Sequence, residues 1–210
     1  GACNQLTAGS VVVDCSTIAP ATAIACAQRL AQRGVHYLDA PVTGGTEGAK
    51  AGSLTVLVGG DPAALERARP VLEIIGGTIH HFGAVGRGQQ VKAVNQVLVA
   101  GSYAAVAEAM ALGQRLGLPM DAVVTALQGG AAGSWALSHR ANSMLTASYP
   151  LGFRMSLHHK DLGIALDAAG DVNLDLPVTQ LVAELENGLM EQGHGDEDVS
   201  ALHRHYGTKS

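Results

Sequence analysis

Short β-branched runs alternate with helix-length stretches up to about residue 85, and beyond that point only helical patterning continues. Val11-Val12-Val13-Asp14 reads as a buried strand. Pro20 to Arg33 reads as a helix with proline in its first turn and Gly34 just past its end. Tyr37 to Val42, Leu54 to Val58 and Thr78 to Phe82 are further strands. Asp61 and Pro62 open a helix to about Ile75, with Asp61 as N-cap and Pro62 at the first position. Strands alternating with helices imply βαβ units and a sheet that is at least partly parallel. A first strand of buried type needs neighbours on both sides.

After Gly88 the period is that of helices. Gln89 to Leu116 makes one stretch of about 28 residues, roughly 42 Å at the standard rise. It is apolar nearly all round, which predicts the buried central helix of a helical domain or a subunit interface. Met120 to Gln128, Ser134 to Leu145, Leu157 to Ala169, Val178 to Gln192 and Asp198 to Arg204 are further helices. The predicted fold class is an α/β remnant of a Rossmann-type domain over 1–84, followed by an all-α domain over 85–210.

Composition narrows the function. With 47% apolar and 15% charged residues the chain can bury a substantial core. Its 27 glycines beside only 3% aromatics point to close backbone packing and tight βα turns. A net charge of −5 without a basic run argues against a nucleic-acid partner, which needs clustered Lys and Arg against phosphates. No apolar stretch approaches the ~20 uncharged residues that cross a bilayer, so no membrane is expected. Cys3, Cys15 and Cys26 have no metal-like spacing and are odd in number; they read as reduced thiols of a cytoplasmic protein.

Four places could carry chemistry. Lys92, Asn95 and Gln96 share one face of the long helix, with Lys92 in about its first turn, after the turn Gly83 to Gly88. A cation there opposes the helix dipole, which should lower the lysine pKa and suit a proton donor; a surface lysine laid along apolar neighbours is the plainer reading. Asp39 to Gly45 puts Thr43, Gly44 and Gly45 after a strand, where glycine-turn N–H groups form a nest for a carboxylate; an ordinary βα turn has the same look. Ser16 and Thr17 end the first strand, able to meet a cofactor ribose or to cap the next helix. Lys160 could neutralise a cofactor phosphate or pair with Asp161.

The turn Gly83 to Gly88 runs G-x-x-G-x-G, and no G-x-G-x-x-G fingerprint occurs in the 210 residues. The pairs His80-His81, His158-His159 and His203/His205 lack carboxylate or thiol company, so no metal is expected.

The order and spacing of these segments resemble the β-hydroxyacid dehydrogenases, such as 3-hydroxyisobutyrate dehydrogenases and tartronate-semialdehyde reductases. The resemblance rests on Val12 to Pro20, Asp39 to Gly45, Gly52 to Gly60, Gly86-x-Gly88 with Lys92 and Asn95, Lys160 to Ala165, and Gly193 to Leu202, and covers nearly the whole chain. It implies Lys92 as catalytic acid/base and Asn95, with Gln96, holding the substrate. It implies Thr43, Gly44 and Gly45 around the substrate carboxylate, Thr43 standing where the family usually has Ser. Ser16, Thr17 and Lys160 would meet NAD or NADP, in a cleft between the two domains. It implies a small 3-hydroxy acid as substrate; the long apolar helix and the missing sheet partners predict a homodimer or homotetramer, and the thiols a cytoplasmic setting. The family's dinucleotide fingerprint is missing from these residues, so the 210-residue chain alone is expected to be inactive. The alternatives are an imine or other carbonyl reductase, whose members commonly lack the lysine, and a non-catalytic dimerisation module.

Overall fold

The computed structural model describes residues 5–207; Cys3, one of the three thiols, lies outside them. The chain divides into two compact units, Gly1–Asn95 and Gln96–Ser210.

The first unit holds a two-stranded and a three-stranded sheet with helices. Strands β1 (Val11–Asp14) and β2 (His36–Asp39) pair in parallel, Val11 opposite His36 and Asp14 opposite Asp39. Strand β3 (Val42–Thr43) pairs antiparallel with β4 (Leu54–Val58), and β4 pairs in parallel with β5 (Gly76–His81). The single strand expected over Tyr37 to Val42 is broken at Ala40-Pro41. Proline has no N–H for a ladder, and here the chain changes neighbours: the Ala40 N–H donates to the Asp14 carbonyl, whereas the Pro41 carbonyl accepts from Leu57. An antiparallel bridge between Asp39 and Gly59 carries the pairing across the break.

Strand alternation explains the layers. Tyr37 packs with Ala23 and Leu30 of α1 (Pro20–Ala31), while the next residue, Leu38, packs with Ala64, Leu65 and Leu72 of α3 (Pro62–Ile75). Successive strand residues face opposite sides, so the two helices cover opposite faces of the sheet. Asp61 caps α3 as its sequence predicts, accepting the Ala64 N–H at 2.9 Å. A seven-residue helix, α2 (Gly45–Ala51), follows β3 and had no counterpart among the expected elements.

Helix α4 (Arg87–Arg115) leaves the first unit and continues into the second. With it, α5 (Met120–Leu127), α6 (Trp135–Leu145), α7 (Met155–Gly170) and α8 (Pro177–Glu191) enclose a core of Ala100, Tyr103, Met110, Met144, Met155, Leu162 and Val182. The segment expected as a short helix near 198–204 is a 3₁₀ helix, Val199–Tyr206, held by Asp198 through the backbone N–H and hydroxyl of Ser200. Among the described residues α4 alone is long and apolar enough, by length and composition, to cross a membrane. One of its faces lies in the helical core; the opposite face is exposed, so the helix is not the fully buried one that was one of the two expectations.

Candidate active site

The foot of α4 is built on Asp39, the last residue of β2. Its carboxylate is fully buried and accepts two backbone N–H groups, Gly86 at 2.8 Å on one oxygen and Gln89 at 2.9 Å on the other. These are donors that a helix start leaves without intrahelical partners, and an anion there is favoured by the dipole. The helix comes so close to the strand ends that a Cβ on Gly88 would collide with the Leu57 carbonyl. Only glycine fits at that approach.

Gln89 fastens a second loop to the same place. Its buried side chain donates to the Ser16 carbonyl at 2.8 Å and accepts the Ile18 N–H at 3.2 Å. Ser16 and Thr17, expected at a ligand edge, are therefore held against the first turn of α4. Asp14 stiffens the loop from the strand side, accepting the Ser16 N–H at 2.9 Å and the Tyr37 hydroxyl at 2.8 Å. Burial works to raise the Asp14 pKa, but hydrogen bonding from the Ser16 side chain, the Ser16 N–H and Tyr37 outweighs it and holds the carboxylate below its usual value. Burial and then the Asp14 charge push the Cys15 thiol up, which disfavours the reactive thiolate.

Lys92 lies one turn beyond Gln89 and is 8% exposed. Because α4 begins at Arg87, the lysine stands in its second turn, not its first. The dipole's reach ends within the first turn, and Asp39 already answers it. The electrostatic misfit expected from the sequence thus does not arise at full strength, though the residue as a whole is largely buried. Asn95 is half-buried.

Thr43 ends β3 half-buried, four residues after the Asp39 cap, and Gly44 and Gly45 open α2. Both glycines have positive φ, 127° and 65°, which side-chain-bearing residues rarely adopt.

The remaining two predicted residues belong to the second unit. Gln96, buried, donates from Nε2 to Asp161 Oδ2 at 2.7 Å, and Lys160 Nζ lies 2.9 Å from Asp161 Oδ1. The buried Asp161 carboxylate thus joins Gln96 of α4 to Lys160 of α7, and the ion pair weighed from the sequence is present. Sequence reasoning offered Asp161 only as a partner of Lys160, and missed its bond to Gln96 and the holding roles of Asp39 and Gln89. Their signal was available only as polar residues inside apolar surroundings. No group of three or more His, Cys, Asp or Glu side chains gathers as a metal site among the described residues.

Known proteins resemble the chain along its length. Residues 1–83 match the family described as the NAD binding domain of 6-phosphogluconate dehydrogenase. Residues 86–206 match that described as NAD-binding of NADP-dependent 3-hydroxyisobutyrate dehydrogenase. The 2-(hydroxymethyl)glutarate dehydrogenase of Eubacterium barkeri is 38% identical, over 96% of this chain and 67% of its own length. The NAD-dependent L-serine dehydrogenase of Pseudomonas aeruginosa is also 38% identical, over 97% and 71%. The crystal structure of 3-hydroxyisobutyrate dehydrogenase from Salmonella typhimurium superposes with a TM-score of 0.91 at 32% identity, over 97% of this chain and 72% of that one.

Proposed function

This chain belongs to the β-hydroxyacid dehydrogenases, and on that premise we propose that Lys92 is the general acid/base in the reversible oxidation of a small 3-hydroxy acid to its semialdehyde. The cofactor of such enzymes, NAD or NADP, accepts or returns the hydride. The residues present fit its nicotinamide end. Cys15 and Ser16 form an exposed polar loop at the carboxyl end of a parallel strand, with Thr17 half-buried beside them, and buried Gln89 fixes its backbone.

In the oxidative direction the Lys92 amine takes the substrate hydroxyl proton as the carbinol hydrogen leaves with its electron pair, so the oxygen becomes a carbonyl without passing through a free alkoxide. In reverse the ammonium returns that proton to the carbonyl oxygen. Asn95 and Gln96 hold the substrate and orient the lysine, and Thr43, Gly44 and Gly45 receive its carboxylate through the hydroxyl and backbone N–H groups. Ser16, Thr17 and Lys160 meet the cofactor. The observation that carries this reading is a buried lysine, 8% exposed, one turn past an N-terminus clamped by Asp39 and Gln89. Lysines are rarely so buried, and largely buried titratable groups cluster at functional sites.

The homologues reported above support a small hydroxy-acid substrate. The exposed apolar face of α4 supports a homodimer or homotetramer, and free Cys15 and Cys26 fit a cytoplasmic setting. The test is Lys92→Ala in the whole enzyme: turnover should fall about 10²- to 10⁴-fold with nucleotide affinity retained. Near-normal turnover would instead favour an imine or other carbonyl reductase.

A further inference from the structure

The loop at residues 15–19, between β1 and α1, belongs to no helix or strand. Its hydroxyls do not cap the helix that follows: α1 begins after Ala19 without a side-chain cap. Ser16 instead gives its hydroxyl proton to Asp14, so that oxygen has only acceptor lone pairs left for a ligand. The backbone of the loop is set from elsewhere. Gln89, 1% exposed, turns both ends of its amide to it: Nε2 donates to the Ser16 carbonyl at 2.8 Å, and Oε1 accepts the Ile18 N–H at 3.2 Å. An amide offers a donor and an acceptor side by side, as this carbonyl and N–H require. Gln89 is itself anchored, because its own N–H donates to the buried Asp39 carboxylate at 2.9 Å. Lys92 follows three residues on, a neighbour on the helix surface about 4.5 Å further along the axis.

We propose that Gln89 is a positioning residue for the nicotinamide end of the cofactor, holding residues 16–18 in fixed register with the helix turn that carries Lys92. Hydride and proton leave one carbinol group, so the hydride acceptor and the amine must keep one mutual geometry. A displacement of about 1 Å at such a centre costs on the order of 10²-fold in rate. Asp39, Gln89 and Ser16 make one chain of bonds from the end of β2 to the loop. This deepens the dehydrogenase reading above and rests on it.

The test is calorimetric titration of the whole enzyme with whichever of NADH and NADPH binds more tightly. Beside it runs the matching probe, ADP or 2′,5′-ADP, which lacks the nicotinamide riboside. Gln89→Ala should weaken the dinucleotide about 10-fold and leave the ADP probe unchanged. In the nucleotide-free variant the Ile18 amide hydrogen should exchange about 10-fold faster than in wild type. Gln89→Glu keeps the shape but sets a carboxylate oxygen against the Ser16 carbonyl. At about pH 8 it should bind the dinucleotide as weakly as Gln89→Ala, and at about pH 6 it should approach wild type. Burial and the Asp39 charge nearby keep the introduced carboxyl easily protonated, and its O–H then donates as the amide did. Unchanged dinucleotide affinity in Gln89→Ala, or equal weakening of both probes, overturns the role of Gln89 alone. A Gln89→Glu enzyme whose affinity ignores pH overturns it too. A wild-type enzyme that binds neither dinucleotide overturns the dehydrogenase reading with it.

Discussion

The carboxylate of Asp39 accepts the backbone N–H of Gln89 at 2.9 Å, joining the end of β2 to the start of α4 across 50 residues of sequence. Its other oxygen takes the Gly86 N–H, and the whole group is out of water. Asp39→Ala should leave two buried donors unpaired and cost about 3 kcal/mol of unfolding free energy. Asp39→Asn, which keeps one acceptor, should cost about half of that. Urea denaturation followed by circular dichroism measures both, and equal midpoints for Asp39→Ala and wild type would contradict the cap.

His158 and Glu186 form a second buried pair, Nδ1 to Oε1 at 2.6 Å, between α7 and α8. Both side chains are fully buried, and the ring of Phe153 stands edge-on to the imidazole. His158→Ala or Glu186→Leu alone should cost about 3–5 kcal/mol, because each strands a buried polar partner. The double variant His158→Phe/Glu186→Leu should recover most of that loss. Additive losses in the same denaturation assay would show that the two act separately.

Much of this fold was legible locally. The N-cap at Asp61, the strand Val11–Asp14 and the helices α6 to α8 depend on residues within a turn or two of one another, which is the range over which capping and periodicity act. Helix α2 was not, because Gly45, Gly48 and Gly52 erase any apolar period in that short stretch. Nor was the break at Pro41, where a chain that looks like one strand exchanges one neighbour for another. At the site, the sequence singled out Lys92, Gln96 and Lys160 by residue type and spacing. It did not foresee the bonds from Asp39 to Gly86 and Gln89 or from Asp161 to Gln96, whose partners lie 47 to 65 residues away and are brought close only by the sheet and the helical core.

Acid should weaken the helical unit through His203. Burial holds its pKa below 6.5, so the folded imidazole resists a proton that the unfolded chain accepts. Stability is therefore complete above about pH 6.5 and declines as pH falls below that value, by at most about 1.4 kcal/mol per pH unit. The drop in Tm between about pH 7.5 and pH 5.5 should be smaller for His203→Phe than for wild type. An unchanged drop would mean that another group dominates.

Nucleotide affinity should be low for these 210 residues alone, because no G-x-G-x-x-G turn lies within them to seat a pyrophosphate at a helix N-terminus. Titration with NADH or NADPH, followed by nucleotide fluorescence, should not saturate in the micromolar range. Saturation there would show that the residues present suffice for the whole cofactor.

Chemical rescue addresses the role of Lys92 more directly than loss of activity does. In the whole enzyme carrying Lys92→Ala, added methylammonium should restore part of the lost turnover, with a rate that rises with amine concentration and tracks the pKa of the amine supplied. A Lys92→Ala enzyme that stays slow at every amine concentration, or that is never slow, would contradict the assignment of Lys92 as the group that moves the proton.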